Sequence, residues 1–283
     1  MIKFEHSVFA LPFALTGALL AVRENHTAGR VFGAKLLWIV VAMVGARSAA
    51  MAFNRILDAP IDARNPRTRT RHIPAGVLTT GFAWGFTAVS ILVFLLAAWA
   101  LNPLCLKLAP LALAIVFLYS YTKRFTTLSH LVLGFALGVA PAAAWIGVAG
   151  GLDLRILWLT AAVMFWTAGF DVIYSCQDYE FDCVEGLFSL PRRFGISGAL
   201  WVSRLFHVAM VGCLIALVVS FDLSWLSLAG IGAVVALLVY EHSLVKANDL
   251  SRVNAAFFTV NGYVSVLFFL FWAADIYFLR VGV

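Results

Sequence analysis

Two short stretches of this 283-residue chain place oxygen donors at a spacing that a helix converts into a row. Asn54, Asp58 and Asp62 form N-x-x-x-D-x-x-x-D, and Asp178 and Asp182 repeat the four-residue step with Asp171 further upstream. Residues at i, i+4 and i+8 project from one helical face, so an amide and two carboxylates point the same way. Clustered carboxylates repel one another and are costly beside hydrocarbon, so such a row calls for cations. Oxygen-only ligands point to Mg²⁺ rather than zinc. Mg²⁺ takes one or two carboxylates and completes its shell with water and substrate phosphate. Asn54, Asp58, Asp62, Asp178 and Asp182 are therefore the expected metal ligands.

Basic residues for that phosphate follow closely. Arg64, Arg67, Arg69 and Arg71 come after the first acidic stretch, and Lys123 and Arg124 stand in Tyr119-Ser120-Tyr121-Thr122-Lys123-Arg124-Phe125-Thr126. Arginine forks match phosphate oxygens bidentately, whereas lysine acts as a point charge. Pro60 opposes the helical row, because a proline inside a helix removes a hydrogen bond and kinks the segment where Asp62 must align. The remaining polar residues carry less. Cys105, Cys176, Cys183 and Cys213 form no Cys-x-x-Cys pair and read as core residues, and the six histidines form no zinc pattern. Asp222 and Asp275 read as helix-end residues on the other side of the membrane.

The elements that position these groups follow from composition. With 63% hydrophobic and only 12% charged residues, the chain has too little polar surface for a water-facing globule, where about a quarter are charged. Disordered, collagen-like and disulfide-rich classes are excluded with it. The net charge of +6 has no soluble basic face to put against nucleic acid; its charges sit between apolar runs. Runs of about 20 apolar residues fall near 7–22, 33–53, 76–101, 104–121, 129–149, 155–174, 196–220, 223–245 and 254–279. This is an all-α polytopic membrane bundle of about nine transmembrane helices, read as a single domain over 1–283 with halves of about 1–150 and 151–283. Fourteen Lys and Arg, among them Lys3, Arg47, Arg64, Lys123 and Arg192, fall on the side of the N-terminus, against six, among them Arg23, Arg155 and Arg280. That asymmetry puts the N-terminus in the cytoplasm, the C-terminus outside, and the two Asp-rich loops, 54–75 and 175–195, on the cytoplasmic side of an inner membrane.

Taken together, these residues resemble the UbiA-type intramembrane aromatic prenyltransferases over the whole chain. Asn54, Asp58 and Asp62 match that family's first aspartate-rich motif, and Asp178 and Asp182, with Asp171 upstream, match its second. Tyr119 to Thr126 resembles its Y-x-x-x-K-R-x-T segment, and Leu133-Gly134 through Pro141 to Trp145 the following helix. Phe4 to Phe13, Glu241 to Val245 and Asp249 to Asn254 are similar to the 4-hydroxybenzoate polyprenyltransferase-like branch, part of which is assigned to futalosine-pathway menaquinone biosynthesis. One departure is Ala59-Pro60, where similar proteins commonly carry charged residues.

The resemblance implies Mg²⁺-dependent transfer of a polyprenyl group from its diphosphate to an electron-rich aromatic acid. The tail would lie in the apolar bundle, and Asp58, Asp62, Asp171, Asp178 and Asp182 would be catalytic. Asn54, Arg64, Arg67, Arg71, Tyr119, Lys123, Arg124 and Tyr174 would bind substrate, with Asp171 orienting the acceptor or assisting ring deprotonation. The expected partners are these two substrates and membrane lipid, with no nucleic acid and no obligate protein. A cation-coupled transporter is the competing class, but its acids belong near the bilayer midplane. A structural scaffold leaves the paired acids unexplained, and the D-G-x-x-A-R-type motif of CDP-alcohol phosphotransferases is absent.

Overall fold

The computed structural model describes residues 7–26 and 29–278; Lys3, Phe4 to His6 and Arg280 lie outside that range, as does the placement of the two chain ends. Nine long helices and one short one make up the described chain. They are α1 (Ser7–Asn25), α2 (Gly29–Arg64), α3 (Thr80–Leu101), α4 (Pro103–Thr122), α5 (Ser129–Ala149), α6 (Leu157–Ser175), α7 (Tyr179–Glu185), α8 (Leu190–Ser220), α9 (Trp225–Leu244) and α10 (Asn261–Phe278). Eight helical stretches among the described residues are long and apolar enough to cross a membrane.

The junctions are written in local chemistry. Asn102 caps α4 by accepting from the Cys105 amide at 2.9 Å, with Pro103 in the first turn where no N–H is required. Ser189 caps α8 in the same way, and Gly186, at φ 74°, ends α7 in a left-handed conformation. Asp275 is buried rather than a surface helix end, and it accepts from the Ser224 and Ser227 amides at 3.0 Å each and the Ser227 hydroxyl at 2.6 Å. It thereby satisfies the first turn of α9 from another helix.

α1, α5, α6, α8, α9 and α10 close a ring in which each packs against the next, while α2, α3 and α4 form a second group leaning on α5. At the centre of the ring Phe13, Trp166, Phe268 and Trp272 are fully buried, with Phe13 and Phe268 stacked at 4.5 Å and Phe268 and Trp272 at 4.2 Å. Outward-facing side chains such as Leu37, Trp99, Leu205 and Val219 are exposed and apolar, as a lipid-facing surface requires. Lipid is as apolar as leucine, so helices associate here through close packing at small residues. Gly134 and Gly138 form such a step on α5: a Cβ on Gly138 would lie 2.6 Å from the Thr160 carbonyl oxygen, and one on Gly134 would strike the Met164 carbonyl.

Several sequence expectations are corrected. The segment from Asn54 is not a loop: α2 continues to Arg64, straight through Pro60. Pro60 lies on the exposed side of α2, where its missing N–H and its ring disturb only the outer face. The second loop holds a 3₁₀ turn, Cys176–Asp178, followed by α7. α8 begins at Leu190, inside the expected loop, and turns at Gly195, φ 70°. Cys183 is exposed rather than in the core.

Glu241, from the Glu241 to Val245 stretch, is part of a packing network. A π-turn over Ala255–Val260 frees carbonyls that the Asn261 side chain partly collects, donating to Ala256 at 3.1 Å and to the buried Glu241 carboxyl at 2.7 Å. Trp166 donates to the Asn261 amide oxygen at 2.8 Å, tying α6 to α9 and α10.

Gly134→Leu is expected to push α5 from α6 and cost about 1–3 kcal/mol, read as a lower thermal midpoint in detergent. Gly212→Ala, inside α8 where an added Cβ meets nothing within 4 Å, should not lower the midpoint and should raise it slightly.

Candidate active site

The first acidic row stands on the last three or so turns of α2, so helix periodicity alone aligns its members. Asn54 donates to Asp58 at 3.1 Å. Asp58 is buried, and it also receives Lys123 Nζ at 2.6 Å and Arg124 Nη2 at 3.1 Å. Arg124 reaches back as well to the Ser120 and Leu57 carbonyls at 2.6 and 2.9 Å, pinning the end of α4 to α2. Four residues on, the buried Asp62 takes Arg71 Nη1 on both oxygens at 2.7 Å, with Arg55 3.9 Å away. The chain after α2 folds back in a series of turns, with Thr68 donating to the Asp62 carbonyl at 3.2 Å, and this return is what carries Arg67 and Arg71 onto the acids.

The second acidic stretch faces the same end of the bundle. Asp178 accepts from Asn65 at 3.0 Å and from Arg67 Nε at 2.9 Å, and Arg67 also reaches the Tyr174 hydroxyl at 3.3 Å. These contacts staple the return after α2 to the end of α6. Asp182 on α7 is buried beside Asp178 and Lys123. Arg64 stands apart: more than half exposed, it pairs with Glu185 at 2.7 Å on the rim.

Asp171 sits on α6 and is held by His130 Nδ1 at 2.7 Å. Because His130 Nε2 accepts the Leu190 amide at 3.4 Å, Nδ1 carries the proton and donates to Asp171. Tyr119 lies within electrostatic reach of Asp58, Asp171, Arg55 and Arg71, and so connects the two rows.

Beneath these charges a cavity of about 510 Å³ runs into the bundle between α1, α2, α3, α4 and α5. Its mouth is lined by Asn54, Arg55 and Tyr119, and its far end by Leu101, Cys105 and Ile146. Nearly all the rest is aliphatic or small. The exception is Arg47, two turns inside Asn54 on α2: it lines the cavity, and its buried Nε has no hydrogen-bond partner among the described residues.

The structure therefore brings together Asn54, Asp58, Asp62, Arg67, Arg71, Tyr119, Lys123, Arg124, Asp171, Tyr174, Asp178 and Asp182 at one end of the bundle, and leaves Arg64 at the edge. Among the described residues no three His, Cys, Asp or Glu side chains gather as a metal cage; the acids are matched to cations instead. Such a donor set fits Mg²⁺ in its usual mode, one or two carboxylates per ion with phosphate supplying the rest, rather than a closed protein site.

Sequence reading passes over three participants. Arg47 counts there only as a topology charge, although a lone arginine inside an apolar run is itself a functional signal. His130 counts there only as one of six histidines without a zinc pattern, because its partner Asp171 is 41 residues away. Arg55 carries no signal of its own, since its place depends on the return of Arg71.

Comparison with known proteins identifies the family and the fold. Residues 10–274 match the UbiA prenyltransferase family. The chain is 27% identical over 241 residues to a 4-hydroxybenzoate octaprenyltransferase of Shewanella denitrificans, covering 85% of this chain and 81% of that one. The apo structure of a UbiA homolog from Aeropyrum pernix K1 superposes with a TM-score of 0.87 at 32% identity, over 98% of this chain and 100% of that one. A UbiA homolog from Archaeoglobus fulgidus, bound to GPP and Mg²⁺, shares the fold at a TM-score of 0.73 and 18% identity over 95% of each chain. The acids gather at one end of the bundle rather than midway, which is not the arrangement of a cation-coupled transporter. A match running from the first helix to the last gives the conclusion: this chain belongs to the UbiA prenyltransferase family of multi-pass membrane enzymes.

Proposed function

We propose that the protein transfers a polyprenyl group from an allylic polyprenyl diphosphate to an electron-rich aromatic acid of the 4-hydroxybenzoate type, in quinone biosynthesis. The acid-rich end would face the cytoplasm from an inner membrane. One observation carries this reading: the apolar cavity reaches Asn54, Arg55 and Tyr119, which stand next to the acids at that end of the bundle. A ligand suited to both parts is a lipid tail ending in a multiply charged head. Val44 and Leu108 on the cavity wall are exposed, leaving a longer tail room to continue into lipid.

The diphosphate would displace carboxylates from the basic residues that now hold them. Arg67, Arg71 and Lys123 would donate to its oxygens and take up the negative charge that grows as the allylic C–O bond breaks and the electron pair leaves with the diphosphate. Asn54, Asp58, Asp62, Asp178 and Asp182 would hold Mg²⁺, which when bound supplies leaving-group neutralisation. Arg47 would bind the acceptor's carboxylate inside the cavity and turn its ring toward the allylic carbon. A new C–C bond forms from the ring, and the displaced ring proton passes toward Asp171, held in place by His130. The aliphatic wall excludes water that would otherwise quench the allylic cation. A naphthoate acid offers the same pairing of carboxylate and electron-rich ring, so product identification with several acids is the deciding assay.

Asp58→Ala and Asp182→Ala are expected to lower prenyl transfer about 100-fold or more, measured with radiolabelled polyprenyl diphosphate and Mg²⁺ in membranes; retained transfer by both removes the metal role. Arg47→Met should raise KM for the aromatic acid by about 10- to 100-fold and leave KM for the diphosphate unchanged. An acceptor without a carboxylate should not distinguish the variant from wild type.

A further inference from the structure

A second cavity, of about 430 Å³, lies outside the site just described and shares none of its lining residues. It is walled by Phe125, Thr126 and Thr127 from the α4–α5 connection and by Phe188, Ser189, Arg192 and Arg193 from the start of α8. Its end of the bundle is that of the acids, because the Phe188 amide donates to the Lys123 carbonyl at 2.8 Å.

The two arginines differ from the basic residues next door. Arg64, Arg67, Arg71, Lys123 and Arg124 each meet a carboxylate. Arg192 and Arg193 meet none among the described residues. Arg192 donates to the Leu187 carbonyl at 2.9 Å and lies 5.5 Å from the Phe188 ring; Arg193 reaches the Thr127 hydroxyl at 3.4 Å and lies 5.3 Å from the Phe194 ring. Most of their N–H groups remain for an anion, beside two threonine hydroxyls. Guanidinium forks beside hydroxyls match phosphate oxygens. Phe125 and Phe188 line this cavity and are exposed, and Phe194 is exposed beside Arg193. Apolar rings beside a phosphate-binding pair suit a ligand whose charged head is joined to hydrocarbon, not a free ion.

We propose that this cavity binds the phosphate headgroup of an anionic membrane lipid, with Arg192 and Arg193 on the phosphate and the exposed phenylalanines against its acyl region. The site is separate from the prenyl diphosphate reading and is tested by binding alone. Delipidated full-length protein in detergent would be titrated with phosphatidylglycerol or phosphatidylcholine and bound lipid counted by native mass spectrometry, with inorganic phosphate as competitor. Phosphatidylglycerol should bind in preference, Arg192→Gln with Arg193→Gln should weaken it about 10-fold or more, and Phe125→Ser should weaken lipid without altering phosphate competition. Lys246→Gln with Arg252→Gln removes equal charge from another connection, beyond α9, and should change little. Unchanged binding in the Arg192/Arg193 double variant, an equal loss in the Lys246/Arg252 control, or displacement by inorganic phosphate at concentrations equal to the lipid would each overturn the assignment.

Discussion

Carboxylates near hydrocarbon must be neutralised, and the acid-rich end of this protein is organised around that demand. Asp58, Asp62 and Asp178 each accept from a guanidinium or ammonium supplied by a different segment: Lys123 and Arg124 from the end of α4, Arg71 and Arg67 from the turns after α2. An unpaired buried carboxylate costs several kcal/mol, so these pairings constrain where the connecting chain can run. They also set up an exchange. In the reaction proposed above, those cations would pass to the diphosphate and the acids they release to a divalent ion, so one set of side chains would serve the free and the loaded enzyme.

The bundle beneath supplies rigidity without help from the site. Stacked aromatic rings at the centre of the ring of helices, the Gly134–Gly138 approach of α5 to α6, and the buried Trp166–Asn261–Glu241 chain hold α6 in register with its neighbours. Register matters because Asp171 and Tyr174 ride on α6, and Asp178 follows directly from it. The aliphatic cavity lies on the other flank, between α5 and the α2–α4 group. The tail-sized space thus lies beside the stacked aromatic core rather than within it.

Much of this is legible in the residues themselves. Composition imposes a membrane bundle, since a 63% hydrophobic chain cannot cover itself with polar surface. The four-residue spacing of Asn54, Asp58 and Asp62 imposes a shared face, since 3.6 residues make a turn. Loop boundaries were harder to read. A proline and several charges after Phe53 suggest that a helix has ended, yet α2 passes through Pro60 because the ring meets only the exposed side and the charges find partners in other segments. A local rule cannot register such remote partners.

The sequence by itself determined the class of protein, the two acidic rows and the basic residues in their neighbourhood, because hydropathy and helical spacing act over a few turns. Tertiary structure alone decided which base meets which acid, that His130 holds Asp171 and that Arg47 enters the cavity. It also decided that Arg64 stands at the rim while Arg192 and Arg193 face a cavity of their own. Those outcomes depend on contacts between residues far apart in the chain, and sequence spacing carries no information about how helices tilt and return to meet.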